Sequence, residues 1–207
     1  MELTYFGNAC VRLKGSAADV VVDPPHGKAP AVAKLKPNLL VRTKGDADPS
    51  ALRPRDGVPQ EVAGAGEFQL GGVSVKGIPV DSGTVMRIDI DGVRVVSMAG
   101  VTRQLSEEET DDIGRVDILL IGVGGGSSVM DASEARKAVN AIEPGVVVPV
   151  QYRAENVANG KELDPVDKFA KEMGLADGAW AAQPKLSLSG SLGETEDTRV
   201  VIVEPRT

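Results

Sequence analysis

Lys44, Asp46 and Asp48 share one short polar loop, Arg42-Thr43-Lys44-Gly45-Asp46-Ala47-Asp48-Pro49-Ser50, which follows the apolar run Leu39-Leu40-Val41. An amine beside two carboxylates can move protons when the groups are partly desolvated. The same carboxylates could serve a hard cation, which wants about six oxygen donors. The plainer alternative is an ion pair between Lys44 and one of the aspartates that only fills space. His26 is the single histidine in the 207 residues. Imidazole nitrogen is a preferred zinc ligand, and one histidine cannot furnish a centre that needs several. His26 follows Pro24-Pro25 in a polar loop and reads as a solvent-facing residue rather than a proton shuttle. Cys10, the only cysteine, sits in a strand pattern and reads as a small buried apolar residue.

The elements that must position these groups are mostly strands. Glu2 to Phe6, Cys10 to Leu13 and Asp19 to Val22 are short apolar-rich runs joined by glycine turns, the pattern of an antiparallel meander. Ala31 to Leu35 reads as a short helix, and Leu39 to Val41 and Gln60 to Ala63 as strands. Residues 65 to 79 alternate apolar and polar around Gly71-Gly72, which predicts a hairpin. Thr84 to Ile90 and Val93 to Ser97 form a second one, and its Asp91-Gly92 turn suits the two left-handed positions of a type I′ turn. Ser106 caps a helix with an acidic first turn, and Asp131-Ala132-Ser133-Glu134 is a capping box for a helix to Ala141. Val116 to Ile121 and Val146 to Val150 are continuous apolar runs that read as buried strands. Asp164-Pro165 starts a last helix to Met173, and Lys185 to Leu188 and Arg199 to Val203 are the final strands. Gly122-Val123-Gly124-Gly125-Gly126-Ser127-Ser128 lies between a strand and a helix and could cradle an anion, although its spacing is neither a Walker loop nor a dinucleotide fingerprint.

The strand followed by Thr43 to Pro49 resembles the metal-binding signature of the metallo-β-lactamase-fold hydrolases, Thr-His-x-His-x-Asp-His after an apolar strand. Thr43 and Asp48 match; Lys44, Asp46 and Pro49 stand at the histidine positions. The resemblance extends to Gly7-Asn8-Ala9-Cys10, Asp23-Pro24, the stretch from Ala65 to Pro79, and Pro149-Val150-Gln151-Tyr152. It implies an α+β fold, a four-layer αβ/βα sandwich of two mixed β-sheets flanked by helices. It also implies that Asn8, Ser82, Gly100, Arg103 and Gln151 stand where the family carries site residues, with Gly100 in place of a metal-bridging aspartate. Kept in that frame, Lys44, Asp46, Asp48, Arg103 and Gln151 would converge at one mouth. With so few donors left, the expectation is a degenerate, metal-free binding or scaffold protein with zinc absent and no cofactor. The alternative is a hydrolase of the same fold with replaced chemistry, using Lys44 and the carboxylates or a non-zinc metal.

Length and a 42% hydrophobic composition allow one packed domain over residues 1–207. The net charge of −7, with no basic cluster, speaks against nucleic acid. No signal-like or long apolar segment is present, so a soluble cytoplasmic protein without membrane contact is expected. An unknown small molecule, a protein or a second copy of the chain remain as partners.

Overall fold

The computed structural model describes residues 1–25, 30–44, 59–155, 157, 162–175, 180–193 and 197–206. His26, Asp46, Asp48 and Pro49 lie outside the described residues. The first sheet holds β1 (Glu2–Tyr5), β2 (Val11–Lys14), β3 (Asp19–Val22), β4 (Leu39–Arg42), β5 (Gln60–Ala63) and β12 (Leu186–Ser187), in the order β12-β1-β2-β3-β4-β5. The meander β1-β2-β3 is antiparallel, and β3-β4-β5 is parallel with Val20 opposite Leu39 and Leu39 opposite Gln60. The second sheet holds β6 (Gly66–Leu70), β7 (Val73–Val80), β8 (Gly83–Ile90), β9 (Val93–Met98), β10 (Ile118–Gly122), β11 (Val146–Val150) and β13 (Arg199–Val200), in the order β13-β11-β10-β9-β8-β7-β6. Its β6 to β9 half is antiparallel and its β9-β10-β11-β13 half is parallel.

The two sheets are mixed because their sequences are. Hairpin turns such as Asp91-Gly92, both at positive φ (51° and 75°), make the antiparallel halves. Fully buried runs such as Ile118–Gly122 and Val146–Val150 need cover on both faces and take the parallel positions. Leu3, Leu13, Val20 and Leu39 of the first sheet join Val75, Met86, Ile88 and Leu120 of the second in one apolar cluster. Cys10, Val21, Val32, Leu35 and Leu40 form a smaller cluster on the other face of the first sheet, beside a 3-10 turn at Val32–Lys34. Cys10 is therefore the buried apolar residue its context predicts, and burial pushes its thiol well above the usual range.

The helices are α1 (Glu107–Ile113), α2 (Ala132–Ile142) and α3 (Val166–Glu172). Capping boxes at Ser106 with Glu109 and at Asp131 with Glu134 start the first two. The third begins at Pro165 without a side-chain cap; Asp164 instead bonds Lys168 at 2.7 Å, so the expected Asp164 cap is corrected. α1 lies against β7, α2 against β10 and α3 against α2. The last two strands are shorter than their sequence suggests, at Leu186–Ser187 and Arg199–Val200. No helix among the described residues is long and apolar enough to cross a membrane.

Candidate functional site

The parallel strands β3 and β4, and the parallel strands β9, β10 and β11, all end at the same rim of the sandwich. Crevices at the carboxyl ends of strands are where open α/β sheets place ligands. Two hydrogen bonds join the sheets across this rim. Thr84 N–H donates to the Thr43 carbonyl at 3.1 Å, and Gln151 N–H donates to the Asn8 carbonyl at 2.8 Å. The groove between them is floored by the turn after β9.

Lys44 leaves the end of β4 into this groove. The residue before it, Thr43, is buried and clamped: its N–H donates to Asp23 Oδ1 at 2.8 Å and its hydroxyl to Asp23 Oδ2 at 2.7 Å. Lys44 is exposed, but its chain runs past Gly83 and over Gly100. A Cβ built on Gly100 would stand 2.7 Å from Lys44 Cε and 3.2 Å from its Nζ. The tip of Lys44 therefore fills the space that any side chain at position 100 would need. Gly100 also has φ +78°, a conformation that only glycine adopts at little cost.

Gln151 closes the other side. Its Oε1 accepts the Gly100 N–H at 2.9 Å. Asn8 and Gln151 both sit at left-handed φ, 49° and 50°, and Asp23 does too at 44°. Among the described residues, three of the five non-glycine residues with positive φ thus surround one groove; the others, Asp91 and Glu143, are a hairpin turn and a helix end. Such backbone costs of order 1–3 kcal/mol per residue and gathers where function holds it in place. The Tyr5 hydroxyl adds a bond of 2.9 Å to the Asn8 carbonyl, and the Tyr5 and Tyr152 rings meet with centroids 5.8 Å apart.

Of the residues predicted for the site, the structure brings Asn8, Lys44, Gly100 and Gln151 together. Ser82 is at the tip of the β7–β8 hairpin, next to Gly83, and its buried hydroxyl has no hydrogen-bond partner among the described residues. Arg103 does not serve the groove. Its guanidinium holds Glu109 through both Nη atoms, at 2.8 and 2.7 Å, and Asp81 through Nε at 3.2 Å. It is a tether from α1 to the hairpin tip. Beside that guanidinium and the Ser106 N–H, the Glu109 carboxyl is lowered from 4.5 to about 2. A depressed carboxylate lends stability above its ordinary pKa and loses it as pH falls toward the folded value. Arg103→Ala is expected to cost no more than about 1 kcal/mol, because the pair is partly exposed. Urea melts at pH 7 and pH 3 check it: the difference between variant and parent should shrink at the lower pH.

The glycine run is no anion cradle. A Cβ on Gly122 would lie 2.7 Å from Gln151 Oε1, and one on Gly124 only 2.3 Å from the Gln151 carbonyl oxygen. Gly125 N–H is taken by the Met130 carbonyl at 2.9 Å. These glycines let the Gln151 segment approach. Asp23 and Thr43, which the sequence marked only as part of the family frame, are further members of the site. The available signal was a carboxylate directly after an apolar strand, in register with the strand that delivers Lys44. Burial raises the Asp23 carboxyl to about 6, against the lowering pull of the Thr43 donors and of Arg42 and Lys44.

Residues 2–151 match the beta-lactamase superfamily domain. A UPF0173 metal-dependent hydrolase of Natranaerobius thermophilus is 26% identical over 187 residues, covering 73% of this chain and 83% of that protein. A UPF0173 protein of Pyrococcus furiosus is 25% identical over 201 residues, 84% of this chain and 90% of that one. Among solved structures, a Thermotoga maritima protein assigned to the zinc-dependent hydrolases of the metallo-beta-lactamase superfamily superposes with a TM-score of 0.81 at 22% identity, over 98% of both chains. Igni18, a metallo hydrolase of Ignicoccus hospitalis, gives 0.65 at 17% identity over 99% of this chain and 95% of that one. These likenesses overturn two expectations. A metal-free binding or scaffold protein is not what the relatives point to, since they are described as hydrolases. Nor do they support the absence of a metal cofactor, since those descriptions name metal or zinc dependence.

The donors of this groove still do not fit a zinc pair. Lysine, asparagine, glutamine and glycine offer neither imidazole nor thiolate, and Lys44 fills the place where a bridging carboxylate would project from position 100. Among the described residues, no three of His, Cys, Asp and Glu come together as a ligand set.

Proposed function

We propose, from the premise that this chain belongs to the beta-lactamase superfamily, that it is a hydrolase of that fold with replaced active-site chemistry. The observation that carries this reading is the placement of Lys44 over Gly100, at the strand-end rim between the two inter-sheet bonds. A groove walled by strained backbone is a poor investment for mere packing, and it presents one amine to an incoming ligand.

In this reading the Lys44 ammonium donates hydrogen bonds to the oxygen of a scissile ester or phosphoester on which negative charge develops. A positioned donor of this kind is worth roughly 10²–10³ in rate. Water adds to the carbonyl carbon or phosphorus, and the bond to the leaving oxygen breaks. Asp46 and Asp48, next in the chain, are the proposed carboxylates that take the proton of water. Gln151 fixes the Gly100 peptide, and through it the floor that Lys44 rests on. The relatives' metal dependence would carry over to this chain as a hard cation on oxygen donors, with Asp46 and Asp48 among them. A cytoplasmic location is part of this reading, which fractionation of cells would test.

The test is a panel of generic phosphodiester, carboxylic ester and lactone substrates. Each is assayed with the purified protein after chelation and again with Mg²⁺, Mn²⁺, Ca²⁺ or Zn²⁺ restored. The reading expects turnover on at least one class and its loss in Lys44→Met. Turnover on none, in any metal, sinks it.

A further inference from the structure

Asp23 has no part in the proposed chemistry, yet it is tightly constrained at the rim. It sits at φ +44°, although it is not glycine. Its N–H donates to the Val41 carbonyl at 2.9 Å, so it is tied to β4 through its backbone as well. Both its carboxylate oxygens are held by Thr43. Thr43 in turn accepts the Thr84 N–H, so one peptide is fixed from the first sheet and from the β7–β8 hairpin together. Lys44 starts from that peptide and lies over Gly83, the first residue of β8.

We infer that Asp23 is a positioning residue for Lys44: through Thr43 it sets where the amine lies over Gly100, and its charge state governs that hold. The inference rests on the proposed hydrolase reading for its kinetic consequence but not for its structural one. The groups facing Asp23 are the Thr43 donors, the Arg42 and Lys44 cations from β4, and the Cys10 thiol ahead of β2. Arg42 is already bonded to Glu61 at 2.7 Å. Of these two cations, Arg42 acts on Asp23 more strongly than Lys44 does. Burial raises the Asp23 carboxyl from 3.8 to about 6. An acid raised on folding stabilises the fold fully below its unfolded pKa and loses that contribution as pH rises through the folded value, here between about 4 and 6. The ionised form above pH 6 is thus the less stable one, and it is the one whose two oxygens both accept from Thr43.

Asp23→Asn keeps the shape and one acceptor for the Thr43 donors but removes the charge and the second acceptor oxygen, whereas Asp23→Ala removes both contacts. Backbone amide shifts of wild type are followed by NMR from pH 4.5 to 7.5. The inference expects an inflection near pH 6 at Thr43, Lys44 and Gly83, all absent in Asp23→Asn. In activity, wild type should show a step near pH 6 in kcat that Asp23→Asn lacks. Asp23→Ala should lose about tenfold in kcat with KM little changed, since small misplacements of a reacting group are costly. An inflection confined to Thr43, or a step near pH 6 that persists in Asp23→Asn, overturns it. An inflection at Lys44 without turnover in any variant would uphold the positioning and refute the hydrolase reading, so the two failures are separable.

Discussion

Lys44→Met is expected to lower kcat by roughly 10²–10³-fold while moving stability by less than about 0.5 kcal/mol. Methionine is close to lysine in length and keeps apolar contact with Gly83 and Gly100. It cannot donate a hydrogen bond or carry charge. Lys44 is exposed, so folding depends little on its head. A steady-state assay with a thermal melt on the same preparations checks both halves. A matched fall in activity and Tm would assign Lys44 to packing alone.

A large loss of stability is expected at Gly124. A methyl group there would stand 2.3 Å from the Gln151 carbonyl oxygen and 2.9 Å from Leu163 Cβ. The clash is with backbone, which cannot swing away as a long side chain can. Gly124→Ala should cost about 3 kcal/mol, the upper end for overpacking. For a chain of this size that lowers Tm by on the order of 10 °C. The displaced segment also carries the Gln151–Asn8 bond, so activity should fall with it. Gly126→Ala is the control. Nothing lies within 4 Å of its Cβ, and only its φ of +85° opposes the change, at about 1–2 kcal/mol.

Most of the sheet structure was legible because local signals and tertiary burial agree. Asp91-Gly92 turns a hairpin, Ser106 with Glu109 caps a helix, and Val146–Val150 is apolar throughout because both its faces are covered. The Asp164 start of α3 misled because Lys168, one turn on, captures the carboxylate. The site was legible in outline: the strand ends that place Lys44, Gly100 and Gln151 follow from the frame. Arg103 was not, since its partners Glu109 and Asp81 come from a helix and a hairpin tip that only the fold brings together. The glycines 122 and 124 suggested a ligand cradle, yet they yield to Gln151 and Leu163, an approach invisible in sequence.

The functional expectation failed for a different reason. Missing histidines argue against a zinc pair, but they do not argue against hydrolysis. A single amine on a rigid rim is still a means of stabilising charge. The step from lost ligands to lost activity treated one cofactor as the only source of that stabilisation. The relatives, described as hydrolases, set the prior the other way.

Truncation at position 44 gives the most direct test of the central claim. Lys44→Ala vacates the space over Gly100 that the lysine tip fills, whereas Lys44→Met keeps it occupied. The measurement is the turnover of Lys44→Ala against ethylammonium concentration, on whichever substrate wild type hydrolyses. Saturable recovery in the alanine variant, with none in the methionine variant, is the predicted result. An active wild type whose alanine variant turns over equally fast without added amine would contradict the role given to Lys44.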